Sequence, residues 1–328
     1  MKIAIIGRSQ ILLNTAYLLS KKGYDIRVVI TAPTAPEYSR DQNDFKNMAD
    51  ELGVPFFLGD LDIPELIKAC RGLDLGISLN WPKIIADKHI RLFRLGILNA
   101  HYSDLPKYRG NACLNWAILQ GEGDITVSLH FMEGGRLDCG RIINQKKCVL
   151  DENGTITEIL TWCEKIIPNL FLEGLERIAA DENFILKYVS ENDENSFRCY
   201  PRLPEDGFID WIRPVKELHA LIRAAGPPYP GAYTYHNVQG EVKKLIILTS
   251  RIIQFDSKDL AVPGHIIKND RKTGESWVRC GDGVLSIGKC RYENEGDTFQ
   301  PGKRWKSIRM RLGIRPEDWL YLSQQKRK

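Results

Sequence analysis

The first hundred residues alternate short apolar runs with amphipathic segments, and this alternation constrains the fold more than any other feature. The run KIAII ends at Gly7, the amphipathic segment ILLNTAYLLSKKG follows, and a β-branched run closes at Thr31. A strand, a helix and a second strand in this order form a right-handed crossover, so the two strands lie parallel. The pattern repeats through the segments DFKNMADELG, VPFFLG, DIPELIKACRG, LDLGISLN, ADKHIRLFRLG and ILNAH. It predicts a Rossmann-like, doubly wound α/β domain with a mostly parallel sheet.

The remainder of the chain predicts a second, smaller domain. Two more strands and a long amphipathic helix complete an α/β domain over residues 1–190. Residues 191–206 are polar, aperiodic and proline-bearing, which is typical of a linker. Short strands separated by Gly, Asp or Lys turns fill residues 207–295 and predict a small OB-like β-barrel. Residues 296–328 form a basic C-terminal extension, which a solvated helix would explain.

Composition excludes several classes of protein. The formal net charge of +4 is too small to indicate a nucleic-acid partner by itself. The start MKIAIIG has no signal-peptide pattern, and no window approaches the roughly 18 apolar residues that span a bilayer. The eight cysteines form no CxxC pair, and the six histidines form no HxxxH or HExxH motif. We therefore expect a cytoplasmic protein without a metal site and without a membrane partner.

Chemically useful side chains lie where strands of the predicted sheet end. Asn99 and His101 are two residues apart, so they share one face of a strand at the edge where α/β sheets bind ligands. Asp138 lies in the turn GGRLDCG. These residues could be structural, with His101 bonded to a buried carbonyl and Asn99 capping the turn. They could equally form an acid–base and oxyanion set, and the absence of an obvious nucleophile favours direct transfer to an external amine.

The motifs around these residues resemble those of the folate-dependent formyltransferases. The family pattern is N-x-H, then S-x-L-P-x-x-R-G, then a later aspartate. Here Asn99-Ala100-His101 is followed by SDLPKYRG, and Asp138 lies 37 positions after His101. The segment WIRPVKELHALIRAAGPPYPGAYTY is similar to the start of the C-terminal domain in methionyl-tRNA formyltransferase. It is also similar to the bacterial formyltransferase acting on UDP-4-amino-4-deoxyarabinose. The resemblance covers about residues 1–295.

This resemblance implies 10-formyltetrahydrofolate as the formyl donor and an amine as the acceptor. It implies that Asn99 and His101 stabilise the tetrahedral oxyanion, while Asp138 orients His101 and helps take up the ammonium proton. The donor is expected to lie along the loop after the preceding strand, with the backbone near Asp138 closing the other side. The residues of that loop are Asn80, Trp81, Pro82, Lys83, Ile84 and Ile85.

The acceptor favoured by the sequence is a nucleotide-linked amino sugar of surface polysaccharide (lipopolysaccharide O-antigen) synthesis. The predicted acceptor-binding residues are Ser103, Lys107, Tyr108, Arg109, Gly110 and Asn111. Arg109 offers a bidentate phosphate fork, or it fixes its own loop. The alternative is methionyl-tRNA formyltransferase, but the basic insertion of that class is replaced by TAPTAPEYSRDQNDF, which would not supply phosphate contacts. Glycinamide ribonucleotide formyltransferases are shorter and lack a second domain. The sequence does not fix the oligomeric state; related sugar formyltransferases commonly pair into dimers, so the resemblance makes a homodimer one possible assembly.

Two hypotheses from other classes are a nicotinamide-dependent oxidoreductase and a non-catalytic sugar-nucleotide-binding module. The first βα turn reads IIGRSQILLN, in which Gly7 is the single glycine. The G-x-G-x-x-G fingerprint that lets the backbone approach a pyrophosphate is therefore missing, which disfavours the oxidoreductase. Substitution of His101 would distinguish an enzyme from a binding module.

Overall fold

The computed structural model describes residues 1–254, 260–314 and 319, which belong to two compact units. The first unit comprises Met1–Leu114, Gly123–Leu150 and Glu158–Pro201. The second comprises Asn115–Glu122, Asp151–Thr157 and the chain from Arg202. The predicted pairing of an α/β domain with a smaller β-rich domain is confirmed, whereas the predicted domain boundaries stay predictions.

The first unit is built on an eight-stranded sheet in the order β3-β2-β1-β4-β5-β7-β8-β9. The first five strands in that order pair in parallel, and the last three pair antiparallel, which confirms the predicted mostly parallel sheet. A separate two-stranded ladder joins β10 to β6. In chain order the strands are β1 (Lys2–Gly7), β2 (Asp25–Thr31), β3 (Phe56–Leu58), β4 (Leu73–Leu79), β5 (Phe93–His101), β6 (Arg109–Gly110), β7 (Asp124–Phe131), β8 (Gly140–Val149), β9 (Lys187–Val189) and β10 (Arg198–Cys199).

Helices lie between successive strands along the chain, and the ends of α2 follow local sequence rules. They are α1 (Gln10–Lys21), α2 (Gln42–Leu52), α3 (Pro64–Cys70), α4 (Asp87–Ile90), α5 (Cys113–Leu119) and α6 (Ile156–Ala180). Asp41 caps α2 by accepting from the backbone N–H of Asn43, and Gly53 ends the helix in a left-handed conformation. The caps therefore fix where α2 begins and ends.

The predicted helix over ADKHIRLFRLG is wrong for most of its length. Helix α4 makes a single turn, and strand β5 already begins at Phe93. Phe93 is buried and pairs with Leu73 of β4, so sheet pairing and core packing override the helical pattern of this segment. Strand β5 is consequently nine residues long and carries the chain directly to Asn99 and His101.

The core beneath the carboxyl ends of the strands is tightly packed. Ile6 and Ile97 are buried on either side of Gly76, where an added Cβ would meet both side chains at 2.9 Å. Close packing of this kind holds β1, β4 and β5 in fixed register, and the order of the sheet reverses direction between β1 and β4. Ligands of doubly wound sheets bind outside the carboxyl ends of the strands at such a reversal.

The second unit is a five-stranded antiparallel sheet in the order β11-β12-β15-β14-β13. Arg311 and Leu312 form isolated bridges to His265 and His236, which lie at opposite edges of this sheet. The bridges give the sheet a barrel-like form, as the sequence predicted. Its elements are α7 (Val215–Ala225), β11 (Ala232–Val238), β12 (Glu241–Ile253), β13 (Ile266–Asn269), β14 (Ser276–Arg279), β15 (Val284–Tyr292) and α8 (Pro301–Arg304). Much of the predicted basic extension, residues 315–318 and 320–328, lies outside the described residues.

Candidate active site

Asn99 and His101 lie at the carboxyl end of β5, between β4 and β7. They are two residues apart in an extended strand, so their side chains lie on the same face of the sheet. Across the ladder to β7, Asn99 is opposite His130 and His101 is opposite Ser128. Because Ser128 and His130 are also two residues apart, β5 and β7 together form one polar face near the sheet edge.

Both ring nitrogens of His101 face oxygen atoms that can only accept a hydrogen bond. Nε2 lies 2.8 Å from the carbonyl oxygen of Tyr108, and Nδ1 lies 3.5 Å from a carboxylate oxygen of Asp138. The histidine is buried, and the Asp138 side chain is 12% exposed. An imidazolium at His101 would therefore donate in both directions, to a carboxylate on one side and a carbonyl on the other. The site can hold a proton next to a carboxylate, as acid–base chemistry requires.

Asp138 also fixes the loop that follows β5. Its φ of 45° places it in the left-handed region, which short polar side chains tolerate in turns. The second carboxylate oxygen accepts the backbone N–H of Gly110 at 2.8 Å. The same side chain therefore contacts the candidate catalytic histidine and a backbone amide of the SDLPKYRG loop. The sequence motifs alone did not predict this second contact.

The loop after β5 is stabilised by a segment far along the chain. Strand β6 pairs in parallel with β10, whose residues fall within the segment predicted to be a linker. Gly110 has a φ of 103°, and an added Cβ would lie 2.5 Å from the carbonyl oxygen of Cys199. A side chain at this position would force β6 and β10 apart, so glycine is required here for both conformation and space.

Arg109 is buried, and its guanidinium is hydrogen-bonded to the neighbouring chain. Nε donates to the Ser196 hydroxyl at 2.5 Å, Nη2 to the Glu191 carbonyl at 2.7 Å and Nη1 to the Leu137 carbonyl at 3.4 Å. Of the two roles that the sequence left open, this geometry favours fixation of the loop over a free phosphate fork. Tyr108 is buried beside it, with its ring 4.5 Å from that of Phe197.

The other predicted acceptor-binding residues differ in their accessibility. Ser103 is buried and donates to the Lys107 carbonyl at 2.8 Å, which closes the turn. Lys107 and Asn111 are exposed, and within the described part of the chain no ion pair or hydrogen bond engages the ammonium group of Lys107. Lys107 is therefore the cation of this loop that a diphosphate could reach without displacing an internal bond.

A groove of about 550 Å³ opens beside Arg109. Its lining includes the carboxylates Glu191 and Asp193 together with the cation Arg198. A lining of mixed charge does not favour a dianionic ligand, because the two carboxylates would repel its negative charges. The groove therefore adds no support for phosphate binding at Arg109.

The loop predicted to hold the donor leaves the carboxyl end of β4. Asn80 has a φ of 57° and turns the chain sharply, while its carbonyl accepts the Arg8 guanidinium at 3.2 Å. Trp81 packs partly against the core, and Ile85 is buried within it. Ile84, in contrast, is 55% exposed, and Pro82 and Lys83 are also exposed. The loop is thus anchored at both ends and presents an apolar side chain between them.

A second loop, between β7 and β8, approaches this donor loop closely. Gly135 donates its N–H to the Ile85 carbonyl at 3.0 Å, and an added Cβ at Gly134 would lie 2.3 Å from the Cα of Asp87. The backbones of the two loops therefore form one continuous wall. A flat heterocycle with hydrogen-bonding edges fits such a wall beside an exposed isoleucine, so the residues present are compatible with a pterin.

His130 is a polar residue of the site that the sequence predictions missed. Its Nε2 lies 3.3 Å from the Asn99 amide nitrogen, and its Nδ1 lies 3.1 Å from the Phe131 carbonyl and 3.2 Å from the Cys139 carbonyl. Burial lowers the pKa of this histidine. The sequence does carry a signal for this residue. Ser128 and His130 on β7 are polar and two residues apart, as Asn99 and His101 are on β5.

A cysteine also lies near the candidate catalytic histidine. The sulfur of Cys113 is 3.5 Å from His101 Nε2 and 3.4 Å from the Gly110 carbonyl. A hydrogen bond with Cys199 and burial raise the pKa of the Cys113 thiol, so it remains protonated and a poor nucleophile. The arrangement accordingly favours direct attack by an external group over a covalent cysteine intermediate.

Metal binding and membrane insertion would each require features other than those of this site. No group of three or more His, Cys, Asp or Glu side chains that could hold a metal ion occurs in residues 1–254, 260–314 or 319. None of the helices within those same ranges combines the length and the apolar character needed to cross a membrane.

Comparison with known protein families gives two matches. The family model described as "Formyl transferase" matches residues 1–174, and the model described as "Formyl transferase, C-terminal domain" matches residues 203–298. The first match includes Asn99, His101 and Asp138. Together the two models cover both compact units in large part.

Solved structures with the same fold include sugar-modifying enzymes. One is WlaRD, described as a sugar 3N-formyl transferase in the presence of dTDP and 5-N-formyl-THF. Its sequence is 21% identical to this chain, and the TM-score is 0.63 over 90% of this chain and 98% of that chain. Another is the N-formyltransferase from Helicobacter canadensis, in complex with folinic acid and dTDP-3-aminofucose. Its sequence is 19% identical to this chain, and the TM-score is 0.60 over 88% of this chain and 98% of that chain. HypX from Aquifex aeolicus is 16% identical, with a TM-score of 0.57 over 93% of this chain, which spans 47% of HypX. The chain is therefore about half the length of HypX, and at these identities the likeness shows a shared fold.

Proposed function

The chain belongs to the formyl transferase family, whose model matches more than half of its length, and from this premise we propose that it is a sugar N-formyltransferase. The donor is 10-formyltetrahydrofolate, and the acceptor is the amino group of a nucleotide-linked amino sugar used in surface polysaccharide synthesis. The observation that carries the proposal is the convergence of an amide, an imidazole and a carboxylate at the carboxyl end of β5. Asn99, His101 and Asp138 lie together there, and hydrogen bonds fix the loop around them.

The proposed reaction is a direct attack of the sugar amine on the formyl carbon. The amine nitrogen forms the new C–N bond, and the carbonyl electron pair moves to the formyl oxygen. An N–H of Asn99 and a protonated His101 stabilise the negative charge that develops on this oxygen. In the tetrahedral intermediate the attacking nitrogen is an ammonium, and its proton passes to the carboxylate of Asp138 beside His101. The electron pair on the formyl oxygen then re-forms the C=O bond as the bond to the folate nitrogen breaks, and that nitrogen takes up a proton. The products are a formamide and tetrahydrofolate.

The donor would be held by the loop from Asn80 to Ile85 and by the β7–β8 loop. The exposed side chain of Ile84 would cover one face of the pterin, and backbone groups near Gly135 and Asp138 would meet its polar edge. When bound, this donor supplies the activated formyl group. WlaRD and the Helicobacter canadensis enzyme, each with a folate compound in its structure, have the same fold and support this part of the proposal.

Local charge supports a sugar nucleotide over tRNA as acceptor. The loop after β2 carries a single arginine, Arg40, whose Nη1 lies 3.2 Å from Asp44 and whose Nε donates to Gln10. Asp41 in the same loop serves as the α2 cap. This loop therefore lacks the free cations that dominate affinity for a nucleic-acid backbone. Lys107 and Asn111, both exposed, would contact the acceptor instead.

An acceptor panel tests the proposal. The purified protein and 10-formyltetrahydrofolate are incubated with amino-sugar nucleotides that differ in base and in amine position, and with methionyl-tRNA. Formation of an N-formyl sugar, detected by mass spectrometry, is expected for at least one sugar nucleotide. Product from methionyl-tRNA alone would replace the sugar with tRNA as acceptor, and no product from any amine would overturn formyl transfer.

Substitution of the carboxylate tests the site itself. Asp138→Asn keeps the size of the side chain but removes the charge that faces His101, so kcat should fall by about 10²–10⁴-fold. Asp193→Asn is a matched control, since this carboxylate lines the groove beside Arg109 and lies outside the proposed catalytic set. Equal activity of wild type and Asp138→Asn would refute the catalytic role.

A further inference from the structure

His130 is directly opposite Asn99 in the β5–β7 ladder, and it is 1% exposed. Its ring is edge-on to that of His101, with the centroids 6.5 Å apart. The ring is therefore buried in the sheet, where it contacts Asn99 and not the solvent. The protonation and hydrogen bonding of the ring follow from the groups that lie next to its two nitrogens.

The protonation state of the His130 ring is determined by its surroundings. Nδ1 faces the carbonyl oxygens of Phe131 and Cys139 at 3.1 and 3.2 Å. A carbonyl oxygen can only accept, so Nδ1 carries the hydrogen. Burial lowers the pKa of the ring, with the positive charge of a protonated His101 acting in the same direction and Asp138 opposing it. The neutral ring then has its lone pair on Nε2.

That lone pair orients the side chain of Asn99. The Asn99 amide nitrogen lies 3.3 Å from Nε2, so one of its hydrogens is donated to His130. The amide oxygen is consequently turned away from the ring, and the second N–H remains available. The two ends of a carboxamide have nearly the same shape, so without such a partner the amide could adopt either orientation.

We propose that His130 is a positioning residue for formyl transfer, whose unprotonated Nε2 holds the Asn99 amide with an N–H directed at the developing oxyanion. This inference rests on the proposed formyl transfer. In the flipped orientation the amide oxygen would face the negative charge, and the site would lose one of its donors. Loss of a single oxyanion donor lowers kcat by about 10²–10³-fold.

Two conservative variants separate positioning from structural support. His130→Gln places an amide at the position of Nε2, so this variant can still accept a hydrogen bond from Asn99. His130→Asn places an amide at the position of Nδ1, so this variant keeps the bonds to the Phe131 and Cys139 carbonyls and loses the bond to Asn99. We expect kcat to fall by about 10²-fold in His130→Asn and by less than about tenfold in His130→Gln. The KM values for donor and acceptor should change little in either variant. A purely structural role would give equal losses, or the reverse order, together with a lower Tm.

An independent measurement reports the tautomer directly. In protein labelled with ¹⁵N-histidine, His130 should show a protonated Nδ1 and an unprotonated Nε2 at neutral pH. Asn99→Asp should convert it to an imidazolium, because a carboxylate in place of the amide can only accept. An imidazolium or the opposite tautomer in the wild type would overturn the inference.

The outcomes distinguish this inference from the function on which it rests. A wild-type protein that formylates no amine overturns the proposed function, and the role of His130 in it. A wild-type protein that is active, with a His130→Asn variant that keeps its kcat, overturns the positioning role alone.

Discussion

Arg109→Met tests whether the guanidinium fixes its own loop or binds a phosphate. Methionine keeps the aliphatic part of the side chain but removes every donor. Two of the lost bonds are short, those to Ser196 and Glu191 at 2.5 and 2.7 Å, and the third, to Leu137, is long. A hydrogen bond from a charged donor contributes about 1.5–3 kcal/mol. The two short bonds together therefore contribute about 3–6 kcal/mol to the free energy of unfolding.

Calorimetry and kinetics on the same variant give the answer. For a unit of this size, each kcal/mol corresponds to about 2–4 °C in Tm, so Arg109→Met should unfold about 6–24 °C below wild type. Limited proteolysis should cut the loop near Ser196 sooner than in wild type, because that loop loses its anchor. The KM for the acceptor is a secondary readout, measured well below Tm.

Arg136→Met is the matched control for this experiment. Arg136 also pairs with Glu191, at 3.3 Å, and with Glu133, but its side chain is 49% exposed. Exposed ion pairs contribute little to stability, so the Tm of this variant should stay close to that of wild type. The loop-fixing role would be refuted if Arg109→Met kept the wild-type Tm while its KM for the nucleotide sugar rose tenfold or more.

Two further predictions concern the donor loop and the second unit. Gly134→Ala places a Cβ 2.3 Å from Asp87 Cα, which forces the two donor loops apart, and should raise the KM for 10-formyltetrahydrofolate about tenfold. Gly123→Ala, where nothing lies within 4 Å, should leave that KM unchanged, and equal values for both variants would contradict the predicted donor site. Burial lowers the pKa values of His219 and His236 to about 4, against about 6.5 in the unfolded chain. The unfolded chain therefore binds more protons below pH 6.5, so the free energy of unfolding is complete above this pH and falls as the pH drops towards 4. Urea denaturation at a series of pH values measures the decrease, and a constant free energy between pH 6.5 and 4.5 would disprove it.

Much of the fold could be predicted from local patterns. Alternate apolar runs and amphipathic helices indicate a parallel sheet, because each βαβ unit has a fixed hand and each strand a period of two. The same period placed Asn99 and His101 on one face, and the strand-end rule placed them at the ligand-binding edge. The segment from α4 to β5 does not follow its local helical pattern, because Phe93 pairs with Leu73 in the sheet.

The rest of the candidate site depends on contacts that carry no local signal. Strand β10 has two residues and no periodicity, and it lies in a polar stretch that reads as a linker. The three partners of Arg109 are backbone carbonyls and a hydroxyl, groups that occur throughout any chain. The orientation of the Asn99 amide depends on the tautomer of His130, which follows from two carbonyl groups that fold next to it. Residue types and spacing do not encode such geometry.

The ladder between β6 and β10 has a consequence for the order in which the protein folds. Its paired residues are 89 positions apart in the chain, and the side-chain bond from Arg109 to Ser196 joins positions 87 apart. Closing so long a loop is entropically costly, so such contacts form late relative to the local βα units. During synthesis the parallel strands β1 to β5 can assemble while residues around Cys199 are still unmade. The loop that carries Gly110 can then reach its final conformation only after translation has passed β10. A nascent chain that stops short of β10 would have Asn99 and His101 in place but no formed loop over residues 103–110.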